Sequence, residues 1–232
     1  GRLSEYQITV LSRRSDVKAE DLLGKNVTVS LELIDGSRRC FDAQVTRFGL
    51  TGGVGRYFRY QITGRPWLWL LTRTSDCRIF QNVSVPDIVK DVLGKYPEIK
   101  FESRLTGDYR PWEYCVQYRE TDFNFVSRLL ELEGIYYFFQ HEVGKHTLTL
   151  ADSYAAHEAV EGYEAYVFLP QAIDTPRQRD EVIEDWLASK EMQPGAYVVD
   201  DYDFERPSVE LEAQFKDPRQ HARSKLEIYD YP

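Results

Sequence analysis

His141 and His146, the ends of HEVGKH, are the pair in this 232-residue chain that most resembles a metal-binding motif. Zinc-binding helices place such histidines four apart, so that both rings face one ion. Here the spacing is five and Val143-Gly144-Lys145 reads as a turn, so a hairpin carrying two polar histidines is expected. The second candidate is the acidic run Asp200, Asp201, Asp203 and Glu205. On an extended strand Asp201, Asp203 and Glu205 share one side and repel one another, which a hard cation would relieve. The glycine and acid spacing of a calcium loop is missing, and charge along an exposed edge strand also blocks unwanted pairing.

Other groups offer weaker chemistry. Glu120, Glu131 and Glu133 are the nearest approach to an acid and base pair, but helical spacing sets Glu131 beside Arg128, where an ion pair is expected. Gly52, Gly53 and Gly55 do not lead a buried strand into a helix, so they make no phosphate cradle. No GxSxG elbow occurs, and the histidines lie far from any activated serine or cysteine. Trp67 and Trp69 after Pro66 suit stacking on a sugar, or, as alternating strand residues, a core or an interface. No catalytic, cofactor-binding or metal-ligating residue is assigned. Two readings stay open on the residues alone: a metal-dependent hydrolase using Asp200–Glu205, and a monomeric glycan-binding β module using Trp67 and Trp69.

The elements around these residues are dominated by strands. Tyr6, Ile8 and Val10 alternate with polar neighbours, as do Val27 to Leu33 and Phe58 to Ile62, and Asp35-Gly36 is a strong hairpin signal. Ser84-Val85-Pro86-Asp87 opens a helix running to Leu93 and ended by Gly94. The best specified stretch is Tyr114 to Phe139. A strand through Tyr118 passes the cap residues Thr121 and Asp122 into a helix whose apolar face is Phe123, Phe125, Val126, Leu129, Leu130 and Leu132. Gly134 supplies a left-handed stop, and Ile135 to Phe139 is a further strand. His146 to Leu150 follows as another. Residues 151–180 lose any period and read as a long connection. Val182–Met192 and Ala196–Asp203, on either side of Pro194-Gly195, suggest a second hairpin, and Leu226 to Tyr231 a last strand.

Composition narrows the function classes. A net charge of −9 argues against a general nucleic-acid or anionic-membrane partner, which requires a basic surface. Cys40, Cys77 and Cys115 are odd in number and widely spaced, so neither a disulfide framework nor a zinc site is indicated, and each is expected as a small apolar residue in a strand. No apolar run is long enough to span a bilayer and no signal-peptide pattern opens the chain, so folding in a cytoplasm is expected. Beginning at Gly1 without methionine, the chain is expected to be a fragment.

GRPWLWLLTRTSDCRIFQNVSVPDIVKDVLG, EYCVQYRETDFNFVSRLLELEGIYYFF, HTLTLADS, DYDFERP and IYDYP, in this order, resemble segments of the VgrG family, the spike of the type VI secretion system, in its phage tail-hub-like portion. The resemblance implies an α+β fold, mainly antiparallel β, with tail-hub-like β-barrels and a few short helices packed on them. It divides the chain into a first barrel-like region (1–80), a strand–helix–strand region (81–150), a connection (151–180) and strands of a second, truncated barrel (181–232). It implies a non-enzymatic homotrimer that adapts the hexameric Hcp tube to the membrane-puncturing needle, with a PAAR-repeat tip and effectors engaged through parts outside this sequence. Such a protein assembles in the bacterial cytoplasm, is exported without a signal peptide and needs no cofactor.

Overall fold

The computed structural model describes residues 3–33, 36–96, 99–158, 165–169, 182–217 and 219–231. The chain divides into two units, residues 1–165 with 179–181, and residues 166–178 with 182–232.

The first unit opens with an antiparallel sheet of β1 (Tyr6–Ser12), β2 (Asn26–Glu32), β3 (Arg38–Val54) and β4 (Tyr57–Arg65), in the order β1-β4-β3-β2. Period-2 alternation sets its faces: Tyr60 and Ile62 are buried while Arg59 and Gln61 face outward. Asp35 of the hairpin dipeptide lies outside the described residues; Gly36 has φ +82°, and Leu33 N–H donates to Ser37 O at 2.9 Å to close the β2–β3 turn. Register shifts in β3 at Val45/Arg47 and Leu50/Gly52 bend the sheet. They do not close it. The expected β-barrels are therefore absent among the described residues: β1 and β2 remain two unpaired edges, and the other sheets have only two or three strands. Closure requires the first and last strands to share a ladder at a consistent stagger, whereas here a 3-10 turn at Ala19–Asp21 occupies the connection between β1 and β2. The mixed, mainly antiparallel α+β character stands.

Pro66 (φ −59°) starts a 3-10 helix, Trp67–Thr72, where alternating tryptophans suggested a strand. Trp67, Leu68 and Leu71 turn inward, a helical rather than a two-residue spacing. Next come β5 (Ser75–Phe80), α1 (Val85–Gly94), β6 (Phe101–Arg104), β7 (Cys115–Thr121), α2 (Asp122–Leu132), β8 (Tyr136–Glu142) and β9 (Lys145–Ala151). β5 pairs with β7, while β9 lies between antiparallel β8 and parallel β6. Ser84 Oγ caps α1 by accepting from Asp87 N, and Thr121 Oγ1 caps α2 by accepting from Asn124 N at 3.1 Å.

The core gathers around α2, where Phe125 and Leu129 are fully buried against Val85, Ile88, Val89, Val92, Leu68 and Leu71. Leu132, placed by periodicity on the same face, is 66% exposed because the helix ends there. Every residue of β9 from His146 to Ala151 is buried, so His-Thr-Leu-Thr-Leu packs on both faces rather than one.

Gly134 has φ +69°, and Ile135 N–H donates to Leu130 O at 2.8 Å across the helix end. Space around its missing Cβ is open, so the backbone alone makes glycine necessary. Gly134→Val is expected to cost about 2 kcal/mol, the left-handed penalty increased by β-branching. Urea unfolding measures it, and Gly134→Asn should recover most of the loss. A valine variant as stable as the parent would contradict the left-handed assignment.

In the second unit β10 (Ala196–Val199) lies between antiparallel β11 (Ala213–Lys216) and parallel β12 (Glu227–Asp230). The hairpin expected across Pro194-Gly195 does not form. Among the described residues, 182–192 make a single bridge, Ile183 to Phe168, and β10 takes its partners from further along the chain. Much of the connection expected over 151–180 lies outside the described residues.

Candidate functional site

The histidines of HEVGKH face each other across the β8–β9 hairpin, as expected of a turn at Val143-Gly144, and the structure gives them different roles. His146 is buried. Its Nδ1 lies 2.7 Å from Asp42 Oδ2, and its Nε2 accepts from Trp67 N–H at 2.8 Å. Because Nε2 accepts, the ring proton sits on Nδ1 and is donated to Asp42. Asp42, 0% exposed, also accepts from Asn26 Nδ2 and Thr28 Oγ1, each at 2.7 Å. A buried aspartate orienting a histidine is half of a general-base arrangement. Chemistry needs the far ring nitrogen free to face a nucleophile; here a backbone amide fills it. The pair instead satisfies the first orphan donor of the Trp67–Thr72 helix and ties it to β3. Gly144 O accepts from Asn26 Nδ2 at 3.0 Å and Gly144 N donates to Thr28 Oγ1 at 2.8 Å, which fixes the hairpin turn to β2.

His141 is partly buried among Tyr6, Phe41 and Phe139, with Nδ1 3.1 Å from the Asp42 backbone. Desolvation, then the neighbouring His146, holds its pKa below the ordinary 6.5, against the opposing Asp42 backbone hydrogen bond. A depressed value means that the folded state resists protonation. Its contribution to stability is complete above pH 6.5 and is lost as pH falls through the lowered folded value. The urea midpoint should fall between pH 7 and pH 5, and less steeply in His141→Gln. Equal slopes in the two proteins would contradict this role.

The remaining candidates do not converge. Asp200 to Glu205 leaves the sheet: β10 ends at Val199, and Asp203 Oδ1 accepts from Glu205 N at 2.9 Å and Arg206 N at 3.1 Å, making a turn. The expected one-sided acidic strand is absent, and no group of three metal-ligating side chains occurs among the described residues. Trp67 is 3% exposed, and Trp69 is flanked by Arg65 and Arg73 at 5.2 and 4.7 Å from its ring. Arg128 pairs with Glu120 rather than Glu131, and Glu133 accepts from Trp112 Nε1 at 3.0 Å. Cys115 is buried, Cys40 intermediate, and Cys77 exposed instead of apolar-packed.

Two buried or half-buried networks went unforeseen. Arg78 bridges Gln117 and Asp122, joining β5 and β7 to the start of α2, and Thr74 Oγ1 adds a 3.0 Å bond to Asp122. Asp152 accepts from Gly107 N, Thr106 N and Tyr109 Oη at 2.7–2.8 Å. Those bonds, Gly107 N–H foremost, hold its carboxyl at about 2, while desolvation and then Asp152 push the Tyr109 phenol up to about 12. Asp42 and Asp122 have a sequence signal, being carboxylates inside or beside apolar runs; their partners depend on strand register.

What reaches solvent is sheet surface. On the outward face of β1, β4 and β3, Leu11 lies opposite Arg59 and Arg59 opposite Gly52, while Arg47 is exposed although Thr63 opposite it is buried. On the second unit Phe215, Tyr197 and Ile228 form a row across β11-β10-β12, each more than 40% exposed.

The family model for the phage tail baseplate hub (GPD) matches residues 1–232. The type VI secretion system spike proteins VgrG1a and VgrG1c of Pseudomonas aeruginosa are 49% and 48% identical over the whole chain, which covers 36% and 32% of their lengths. The chain thus spans about a third of the relatives it matches. Among solved structures, the Escherichia coli c3393 protein, described as a type VI secretion component with structural similarity to T4 tail proteins gp27 and gp5, superposes with a TM-score of 0.60 at 27% identity. That match covers 72% of this chain and 45% of the other. A family match over the full length makes this chain a member of the phage tail baseplate hub family, and within that family it is similar, at near 50% identity, to VgrG spike proteins.

Proposed function

We propose that the chain serves as the hub portion of a type VI secretion spike, a mechanical part that joins the Hcp tube to the needle and travels with effectors. Its unbroken match to the hub family carries the reading. The interior supports it: the buried polar groups clamp elements together, as His146 does between β3 and the Trp67 helix. Cross-linked packing of that kind suits a component that transmits force.

Three protomers are proposed to sit on a sixfold Hcp ring, each protomer answering two tube subunits. A PAAR-repeat tip and effectors would join through regions downstream, and the assembly would form in the bacterial cytoplasm and leave without a signal peptide. No helix among the described residues is long and apolar enough to cross a membrane.

In a strain with a single spike gene, removing the coding region of this chain should abolish release of Hcp into the medium, and restoring it should restore release. Undiminished Hcp release after the deletion would contradict the hub role.

A further inference from the structure

A cavity of about 270 Å³ opens where the start of β2, the Trp67–Thr72 helix, the end of α1 and the β8–β9 turn meet. It lies wholly within the first unit, so a single copy of the chain forms it.

Three lysines line it. Lys95 caps the C-terminus of α1, Lys100 immediately precedes β6, and Lys145 is the first residue of β9. No Asp or Glu among the described residues shares the lining. In a chain of net charge −9 this is a local reversal of sign, and a concave surface focuses the field of such a group. Lys95 and Lys145 each reach one carboxylate, Asp76 and Glu142, at 3.1 Å. All four side chains are between 43% and 67% exposed, so these pairs are weak, and each ammonium carries three donors. Lys100 is exposed and has no carboxylate partner among the described residues.

Regular structure fixes the positions of these charges. Lys100 O accepts from Leu148 N–H at 3.0 Å, which ties its backbone to β9, and Gly144 binds the turn before Lys145 to β2. A site held in this way spends little of its affinity on ordering.

The cavity also has an apolar side, from Trp67, Leu70, Tyr96 and Ile99. Trp67 is 3% exposed, yet its Nε1–H has no hydrogen-bond partner. Buried donors normally have acceptors, and a ligand that brings one relieves this unmet bond. His146, the other buried polar residue of the lining, has both ring nitrogens occupied, by Asp42 and by the Trp67 amide. The indole is therefore the buried group with hydrogen-bonding capacity to spare.

The residue types select the ligand. Lysine is a compact point charge, whereas a planar carboxylate is matched best by the guanidinium fork of arginine, and no arginine lines this cavity. Ammonium groups from three elements suit a tetrahedral dianion approached from several sides. The volume falls below the roughly 300–1,000 Å³ of pockets for drug-sized ligands, so the ligand is small. We propose that this cavity binds a small phosphate monoester with an aromatic or similarly apolar group, its phosphate among Lys95, Lys100 and Lys145 and its apolar part beside Trp67 and Leu70. Bound there, the ester bridges the end of α1, the approach to β6 and the β8–β9 turn.

The test uses phenyl phosphate, with inorganic phosphate and phenol as comparisons, titrated into the isotope-labelled 232-residue chain. Calorimetry measures affinity, and the assigned Trp67 indole resonance reports location. Millimolar phenyl phosphate should bind saturably and shift that resonance, while inorganic phosphate and phenol should each bind at least about tenfold more weakly. Lys100→Ala and Lys145→Ala, both at exposed positions, should each weaken binding about tenfold and leave the thermal melt in ligand-free buffer unchanged. Neither heat nor shift with phenyl phosphate would overturn the site. Phenol binding as tightly as the ester would overturn the anion assignment, and inorganic phosphate doing so would overturn the apolar part. Binding that leaves the Trp67 indole unmoved, or that survives both lysine substitutions, would place the ester elsewhere and overturn the proposal.

Discussion

Leu129→Asp should yield no soluble, cooperatively melting protein. Leu129 is completely buried in the middle of α2. A carboxylate there forfeits the leucine's packing, about 2–5 kcal/mol, and in addition costs several kcal/mol to desolvate with no cation at hand. Together these rival the whole stability of an ordinary domain, about 5–15 kcal/mol. Leu129→Ala should lose only the packing part and still fold. Leu132→Asp, three residues on and 66% exposed, should be nearly neutral. Soluble expression with a cooperative thermal transition separates the three, and a well-folded Leu129→Asp would remove α2 from the centre of the core.

Asp42→Ala should cost about 3–5 kcal/mol, the second largest loss expected from a single change. Asn26 Nδ2, Thr28 Oγ1 and His146 Nδ1 all donate to this one carboxylate, and the His146 side chain is 2% exposed. Truncation strands the buried His146 donor and the half-buried Thr28 hydroxyl, and frees the ring that holds Trp67 N–H. Asn26 is partly rescued by Gly144 O. Asp42→Asn should be milder, about 1–2 kcal/mol: its oxygen can serve His146 and Asn26 while its amide faces the Thr28 hydroxyl, which can rotate to accept. Equilibrium urea unfolding ranks the two. Equal losses would mean that the negative charge rather than acceptor geometry matters there.

These sites also mark what sequence reasoning reaches. α2 was legible because everything that specifies it is local: a threonine cap, apolar residues at helical spacing and a glycine stop with φ +69°. The β2–β3 hairpin was legible for the same reason, from Asp35-Gly36 between two alternating runs. Trp67–Thr72 was misjudged because PWLWLL satisfies a two-residue period as well as a helical one. The deciding feature, a buried histidine accepting from Trp67 N–H, comes from 79 residues away. The barrels, implied by the family resemblance, failed on long-range pairing, which alternation within β1 and β2 could not have checked. Parallel pairing of β12 with β10 was invisible for the same reason: nothing near Pro194-Gly195 specifies a partner thirty residues downstream.

The candidate site followed a similar division. Excluding a zinc helix at HEVGKH needed only spacing, and the hairpin is there. Reading both histidines as merely polar understated His146, because its partner Asp42 belongs to a strand whose register against β2 sets Thr28 opposite Asp42. The acidic run was misplaced on a strand: Asp203 bonds its own following amides, the local competition by which aspartate ends regular structure.

The most direct measurement for the hub role is the native mass of the complex formed when this chain is mixed with purified Hcp hexamers. Three copies of the chain on one ring of six Hcp subunits is the expected stoichiometry. One-to-one binding, or no complex at concentrations where Hcp remains hexameric, would contradict the adaptor role.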